Sequence, residues 1–178
     1  GITDEVQVEY VCGGQFYGDA DITAYMDTWF GSKGVEIVFA CGGGIYTSAA
    51  EAAVKTGGKI IGVDLDQSAT IDEYEDGLTV TSAMKGLQVT IDNVLSAIKG
   101  GTWDAYAGEM ENLGLESANP EENYVQLPET TTQWDDNFTV DDYRDLVQRM
   151  YDGELTVSGD TTSFPETEIQ ATDYGSIK

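Results

Sequence analysis

Along the first hundred residues the apolar positions switch repeatedly between a period of two and a period of 3.6. Val6 to Cys12 (VQVEYVC) puts Val6, Val8, Tyr10 and Cys12 on one face and Val11 on the other, the pattern of a strand. Ile22, Tyr25, Met26, Trp29 and Phe30 then fall at i, i+3, i+4, i+7 and i+8. That stripe predicts a helix from about Ala20 to Phe30, ended by Gly31 and Gly34. Val35 to Ala40 is a continuous apolar run, too short for a helix and β-branched, which reads as a buried strand. Gly42, Gly43 and Gly44 break it. An alanine-rich helix, Tyr46 to Lys55, follows and stops at Gly57-Gly58, and a further strand, Lys59 to Val63, runs into Asp64.

A polar, acidic loop reaches Gly77, and Leu78 to Thr81 is a fourth short strand. Ser82 to Lys85 leads into a helix ending near Lys99, with Leu87, Ile91, Val94, Leu95 and Ile98 as its apolar stripe and Gly100-Gly101 as its stop. The series β-α-β-α-β-loop-β-α predicts an α/β fold with a doubly wound parallel sheet. Beyond Trp103 the periods weaken. Asp104 to Met110 reads as a fifth strand, Glu111 to Glu122 is polar, and Tyr124 to Leu127 is a short extended piece stopped by Pro128. One clear helix remains: Thr139 caps it, Asp142 completes a capping box, and Val140, Tyr143, Val147, Met150 and Tyr151 face inward. The tail after Leu155 reads as coil or an isolated strand.

Charge narrows the functions. Eight Lys and Arg against 33 Asp and Glu give a net charge of −25, which repels nucleic acid, anionic lipid and polyphosphate ligands. There is no His, so Cys/His nucleophiles and ordinary zinc sites are excluded. Cys12 and Cys41 could form at most one bridge; each ends an apolar run, which favours two buried free thiols. No apolar run approaches membrane-spanning length, and neither a leader nor a lipid-attachment cysteine follows Gly1. The chain opens almost directly on a strand, as a piece of a longer protein would.

The candidate chemistry clusters at strand ends, where open α/β sheets bind ligands. Phe16 follows the first strand, Gly42 to Gly44 the second, Asp64 the third, and Ser82 with Lys85 the fourth. Phe16 can pack in the core or offer a stacking face. The triple glycine can be a tight turn, or can let a ligand approach backbone N–H groups at a helix start. Asp64 can cap the following turn or face a ligand. Lys85 at a helix start opposes the helix dipole, which favours a specific partner, Asp64 or a ligand hydroxyl. Gly42-x-Gly44-x-x-Thr47 with Asp64 twenty residues after Gly44 also approximates a dinucleotide-binding fingerprint, with Thr47 in place of the third glycine.

FACGGGIYTSAAEAA, then GVDLDQ, then TSAMKGLQVTIDNVLSAIKGGTWDAY, with YVCGGQFYGDAD upstream, resemble the basic-membrane-protein (BMP) family of substrate-binding lipoproteins over Val6 to about Gly114. Members of that family resembling this chain are nucleoside receptors of bacterial ABC transporters. The resemblance implies one lobe of a periplasmic-binding-protein-like (type I) fold over residues 1–114. Residues 115–178 would form an inter-lobe return segment with one helix near 139–152 and a polar tail. It implies a nucleoside, purine by preference, held without catalysis, cofactor or metal in a cleft of which this chain supplies one wall. Phe16 would stack on the base, and Gly43 and Gly44 would offer backbone contacts. Asp64 would accept from the ribose hydroxyls, and Lys85 would donate to them while pairing with Asp64. The implied partners are a permease and an N-terminal lobe of the same protein, in an extracytoplasmic, membrane-anchored lipoprotein. Apolar positions such as Val125, Leu127, Trp134 and the last helix's stripe would be exposed without that lobe and could pair with another copy. The alternatives are a NAD-type domain of an oxidoreductase and a sensory ligand-binding module that feeds no transporter.

Overall fold

The computed structural model describes residues 6–163 and 166–178. The fold is mixed α/β with parallel pairing dominant. The chain divides into two compact units, Gly1–Ile60 with Ile71–Leu78 and Gly159–Lys178, and Ile61–Thr70 with Thr79–Ser158. These limits cut the sequence at other places than residue 114. Four strands, β2 (Ile37–Phe39), β3 (Lys59–Asp64), β4 (Thr79–Lys85) and β5 (Val125–Gln126), hydrogen-bond in that order.

In the first unit, β1 (Gln7–Cys12) pairs in parallel with β6 (Gln170–Ser176), in register from Gln7↔Gln170 to Tyr10↔Asp173. The tail therefore returns to the sheet, because β1 leaves an unpaired edge that a Thr-, Tyr- and Ser-bearing segment can satisfy. Phe164 and Pro165 of that tail lie outside the described residues. Helix α1 (Ala20–Thr28) is capped by Asp19, whose carboxylate accepts from the Asp21 and Ile22 amides, and it widens into a π-turn over Trp29–Lys33 before Gly34 at φ +72°. Its stripe packs as read: Ile22, Met26, Trp29 and Phe30 are buried against the alanines of α2 (Tyr46–Ala53). Ala49, Ala50, Ala52 and Ala53 let the two helices approach closely over Val38, Ala40 and Ile60.

The other face of this unit's strands corrects the reading. Val6, Val8, Tyr10 and Cys12 are exposed, and Glu9 and Val11 are the half-buried positions of β1. In β2 only Val38 is buried, with Ile37 and Phe39 about half exposed, and both cysteines are exposed rather than buried. The reason is topological. The crossovers through α1 and α2 share one face, and among the described residues of this unit no second helical layer covers the opposite one. Ile37→Thr combined with Phe39→Thr should leave unfolding stability within about 1 kcal/mol, because neither side chain is buried in the core. The same pair should lower binding of a hydrophobic dye; a loss of several kcal/mol in urea unfolding would show the face to be covered.

In the second unit, α3 (Ser68–Ile71) interrupts the acidic loop, and β4 runs to Lys85, four residues past the expected end. Helix α4 (Leu87–Gly100) buries only Ala97, and Leu87, Ile91, Leu95 and Ile98 of its expected inward stripe are exposed. Residues 104–110 form no strand; a 3₁₀ turn at Trp103–Ala105 and loop stand there. Strand β5 pairs antiparallel to the end of β4, Met84↔Gln126 and Lys85↔Val125. Helix α5 (Val140–Tyr151) carries the full Thr139–Asp142 capping box and buries Tyr143 and Val147. Tyr143 stacks on Trp134 at 5.5 Å, and its hydroxyl accepts from the Leu127 amide at 3.0 Å. Leu127 and Trp134 are thus half-buried rather than exposed, while Val125 is exposed.

Candidate ligand-binding site

The five residues singled out fall into two groups, one in each unit. Phe16, Gly43 and Gly44 belong to the first, and Asp64 and Lys85 to the second.

In the first unit the segment after β1 lies alongside the glycine turn after β2. Tyr17 and Gly44 form a parallel bridge, and the Gly44 amide donates to the Phe16 carbonyl at 2.8 Å. Gly43 has φ +49°. A Cβ on Gly42 would stand 3.3 Å from Ile45 Cγ2 and in ordinary contact, 3.5 Å, with the edge of the Phe16 ring. Phe16 is 77% exposed, which decides between core packing and an offered face: it offers a face. The glycine turn serves that face through the Gly44 amide on the Phe16 carbonyl, and the positive φ of Gly43, which favours glycine, shapes the turn that places it.

Gly44 is therefore occupied within the chain, its amide on Phe16 and its carbonyl accepting from the Thr47 amide and hydroxyl. The Ile45 and Ser48 amides donate to Gly42 and Ile45 carbonyls. Gly18 packs so closely on Thr47 and Ser48 that a Cβ would collide with both, and the Asp19 amide donates to Ser48 Oγ. The start of α2 is thus covered by the segment that follows β1.

In the second unit Asp64 ends β3 with φ +72°, the one non-glycine residue at positive φ among the described residues. The Leu65 amide donates to the Val63 carbonyl at 2.9 Å, closing a three-residue turn around Asp64. Such γ-turns with positive φ are strained for a residue with a Cβ. Neighbours hold the turn. Gln67 Oε1 accepts from the Val63 amide, the Gln67 amide donates to the buried Ser82 Oγ, and Asp66 accepts from the Ser68 amide and the Thr131 hydroxyl. Gly62 lies under this clasp; a Cβ would stand 2.6 Å from Ser82 Oγ. The acidic loop signature was visible in the sequence, whereas the roles of Gln67 and Ser82 in fixing Asp64 had no signal there.

Lys85 Nζ pairs with Asp64 Oδ1 at 2.7 Å. Lys85 is the last residue of β4 rather than a helix residue, so its placement follows from the parallel neighbours β3 and β4 ending side by side and not from the helix dipole. The side chains are 65% and 37% exposed, and so exposed a pair contributes only about 0–1 kcal/mol. The left-handed backbone at Asp64 costs about 1–2 kcal/mol. The pair does not offset the strain. Chemically, the carboxylate accepts two hydroxyl hydrogens and the ammonium donates alongside it, a pattern suited to a vicinal diol.

A third cluster was not read from the sequence. Asp19 Oδ2 and Gln15 Oε1 both accept from Lys178 Nζ, the latter at 3.0 Å. The Lys178 hydrogen bond, then the Ile22 amide, lowers the Asp19 carboxyl from 3.8 to about 2. A depressed carboxyl contributes stability that is present above its unfolded value, so this contact is intact at neutral pH and is lost as pH falls from about 4 toward 2. Among the described residues no group of three or more His, Cys, Asp or Glu is placed to hold a metal ion. No helix among them is long and apolar enough to cross a membrane. Compared with models of known protein families and with curated proteins, the sequence matches none.

Proposed function

We propose that this chain binds a nucleoside, as the solute-binding part of an extracytoplasmic ABC-transporter receptor with the periplasmic-binding-protein-like lobe that its motifs resemble. In the second unit Asp64 accepts from the ribose hydroxyls and Lys85 donates to them; the family resemblance assigns Phe16, in the first unit, the aromatic face for the base, a purine by preference for its larger π-face. The observation that carries this reading is Asp64: a strained backbone, a partly exposed carboxylate and an ion pair too solvated to compensate. Strain held in place by the surrounding structure, here by the Gln67 and Ser82 clasp rather than by the ion pair, clusters at ligand sites. What supports a nucleoside over a dinucleotide is the start of α2, where the amides of Gly44, Ile45 and Ser48 are already used and Gly18 and Asp19 lie across the position a pyrophosphate would need. The surface charge of −25 acts in the same direction.

Amide shifts of the chain, titrated with guanosine, adenosine, inosine and NAD to about 10 mM, test this reading and reach weak affinities. Guanosine or inosine should move the Asp64, Leu65, Phe16 and Tyr17 signals. Phe16→Ala should weaken purine nucleosides about tenfold, the scale of one base–aromatic stack. Silence toward every nucleoside, or shifts with NAD alone, would overturn it.

A further inference from the structure

The segment from Gly14 to Asp19 presents Phe16, and its geometry is set by contacts 159 and 163 residues away in sequence. The Ile177 amide donates to the Cys12 carbonyl at 2.9 Å, and β6 brings Lys178 over Gly14. From there the ammonium reaches Gln15 Oε1 and Asp19 Oδ2. Gln15 Nε2 donates at 2.8 Å to both the Tyr17 carbonyl and Asp19 Oδ2. Only one orientation of the Gln15 amide suits all of these partners: the ammonium can only donate, and the carbonyl and carboxylate can only accept. Phe16 therefore sits between two fixed carbonyls, its own on the Gly44 amide and that of Tyr17 on Gln15, while its ring stays exposed.

We propose that Lys178 is a positioning residue for Phe16: by fixing the Gln15 amide and pairing with Asp19, it locks the segment that offers the aromatic face. The role in binding rests on the nucleoside reading; the lock itself does not. An aromatic platform on a fixed backbone binds a base without ordering that segment anew, which is where preorganisation adds affinity. Helix α1 does not need the lysine, because Asp19 caps it through Oδ1 while Lys178 uses Oδ2. Cap and lock are separable.

Hydrogen exchange on the whole chain measures the lock with no ligand. Lys178→Met should speed exchange of the Gly44 and Asp19 amides, which donate to the Phe16 carbonyl and to Ser48 Oγ, about three- to fivefold, the range of an exposed ion pair, with α5 unchanged. Asp19→Asn keeps a good helix cap and should have the same local effect. Lys178→Arg restores the charge and should restore slow exchange. Exchange unchanged in both Lys178→Met and Asp19→Asn overturns the lock. With guanosine as probe, Lys178→Met should weaken binding by a similar factor in the wild type and by nothing further in a Phe16→Ala background. Equal losses in both backgrounds overturn positioning through Phe16. If the unaltered chain binds none of the nucleosides, the nucleoside reading fails and the exchange rates alone decide the lock.

Discussion

Asp64→Ala is expected to abolish measurable ribonucleoside binding, with a loss of about a hundredfold or more, while leaving 2′,3′-dideoxynucleosides nearly unaffected. The magnitude follows from two hydroxyl-to-carboxylate hydrogen bonds at about 1.5–3 kcal/mol each. Lys85 magnifies the effect, since without Asp64 its ammonium loses the partner 2.7 Å away. The backbone gives a second readout of opposite sign. Asp64 lies at φ +72°, so Asp64→Gly should relieve strain and stabilise the chain by about 1 kcal/mol while losing the ligand. Asp64→Asn tolerates the same backbone and keeps one acceptor, and its affinity should fall between that of the wild type and those of the alanine and glycine variants. Titration of amide shifts together with urea unfolding of the three variants checks this. A destabilised glycine variant would show that the turn is favourable as it stands. Equal losses for ribose and dideoxyribose ligands would remove the diol role.

Gly86→Ala should be the most damaging single-methyl change in the second unit. Gly86 separates β4 from α4, and its amide donates to the Tyr124 carbonyl at 2.8 Å. A Cβ would collide with the Asn123 carbonyl and stand 2.9 Å from Tyr124 Cα, and both are backbone atoms that cannot rotate away. Asn123 is fully buried, and its side chain holds the Glu116 and Ser117 amides and the Asn119 carbonyl, so displacement would spread through residues 116–124. The expected cost is about 2–3 kcal/mol in urea unfolding. Gly100→Ala is the contrast: nothing lies within 4 Å of its added methyl, and in a helix the change should stabilise by about 0.5–1 kcal/mol. Equal effects at the two positions would contradict the close approach at Gly86.

The helices of the first unit were legible because their stripes pair with real neighbours: Ile22, Met26, Trp29 and Phe30 on α1 meet the small residues of α2. The α5 capping box was legible because it is local, three residues apart. The α4 stripe was equally clean in sequence and lies exposed, since periodicity says that one face is apolar and not what covers it. The same limit applies to Val8, Tyr10, Ile37 and Phe39.

The sequence by itself determined the alternation of strands and helices, the acidic surface, the absence of histidine chemistry, and the placing of Phe16, the glycine turn, Asp64 and Lys85 at strand ends. These depend on residue type and short spacing. Tertiary structure alone decided that Gly44 serves Phe16, that Asp64 is strained and clasped by Gln67 and Ser82, and that the tail pairs with β1 to bring Lys178 to Asp19. Each of those joins residues far apart in the chain, or depends on one backbone dihedral, and neither leaves a period or a composition to read.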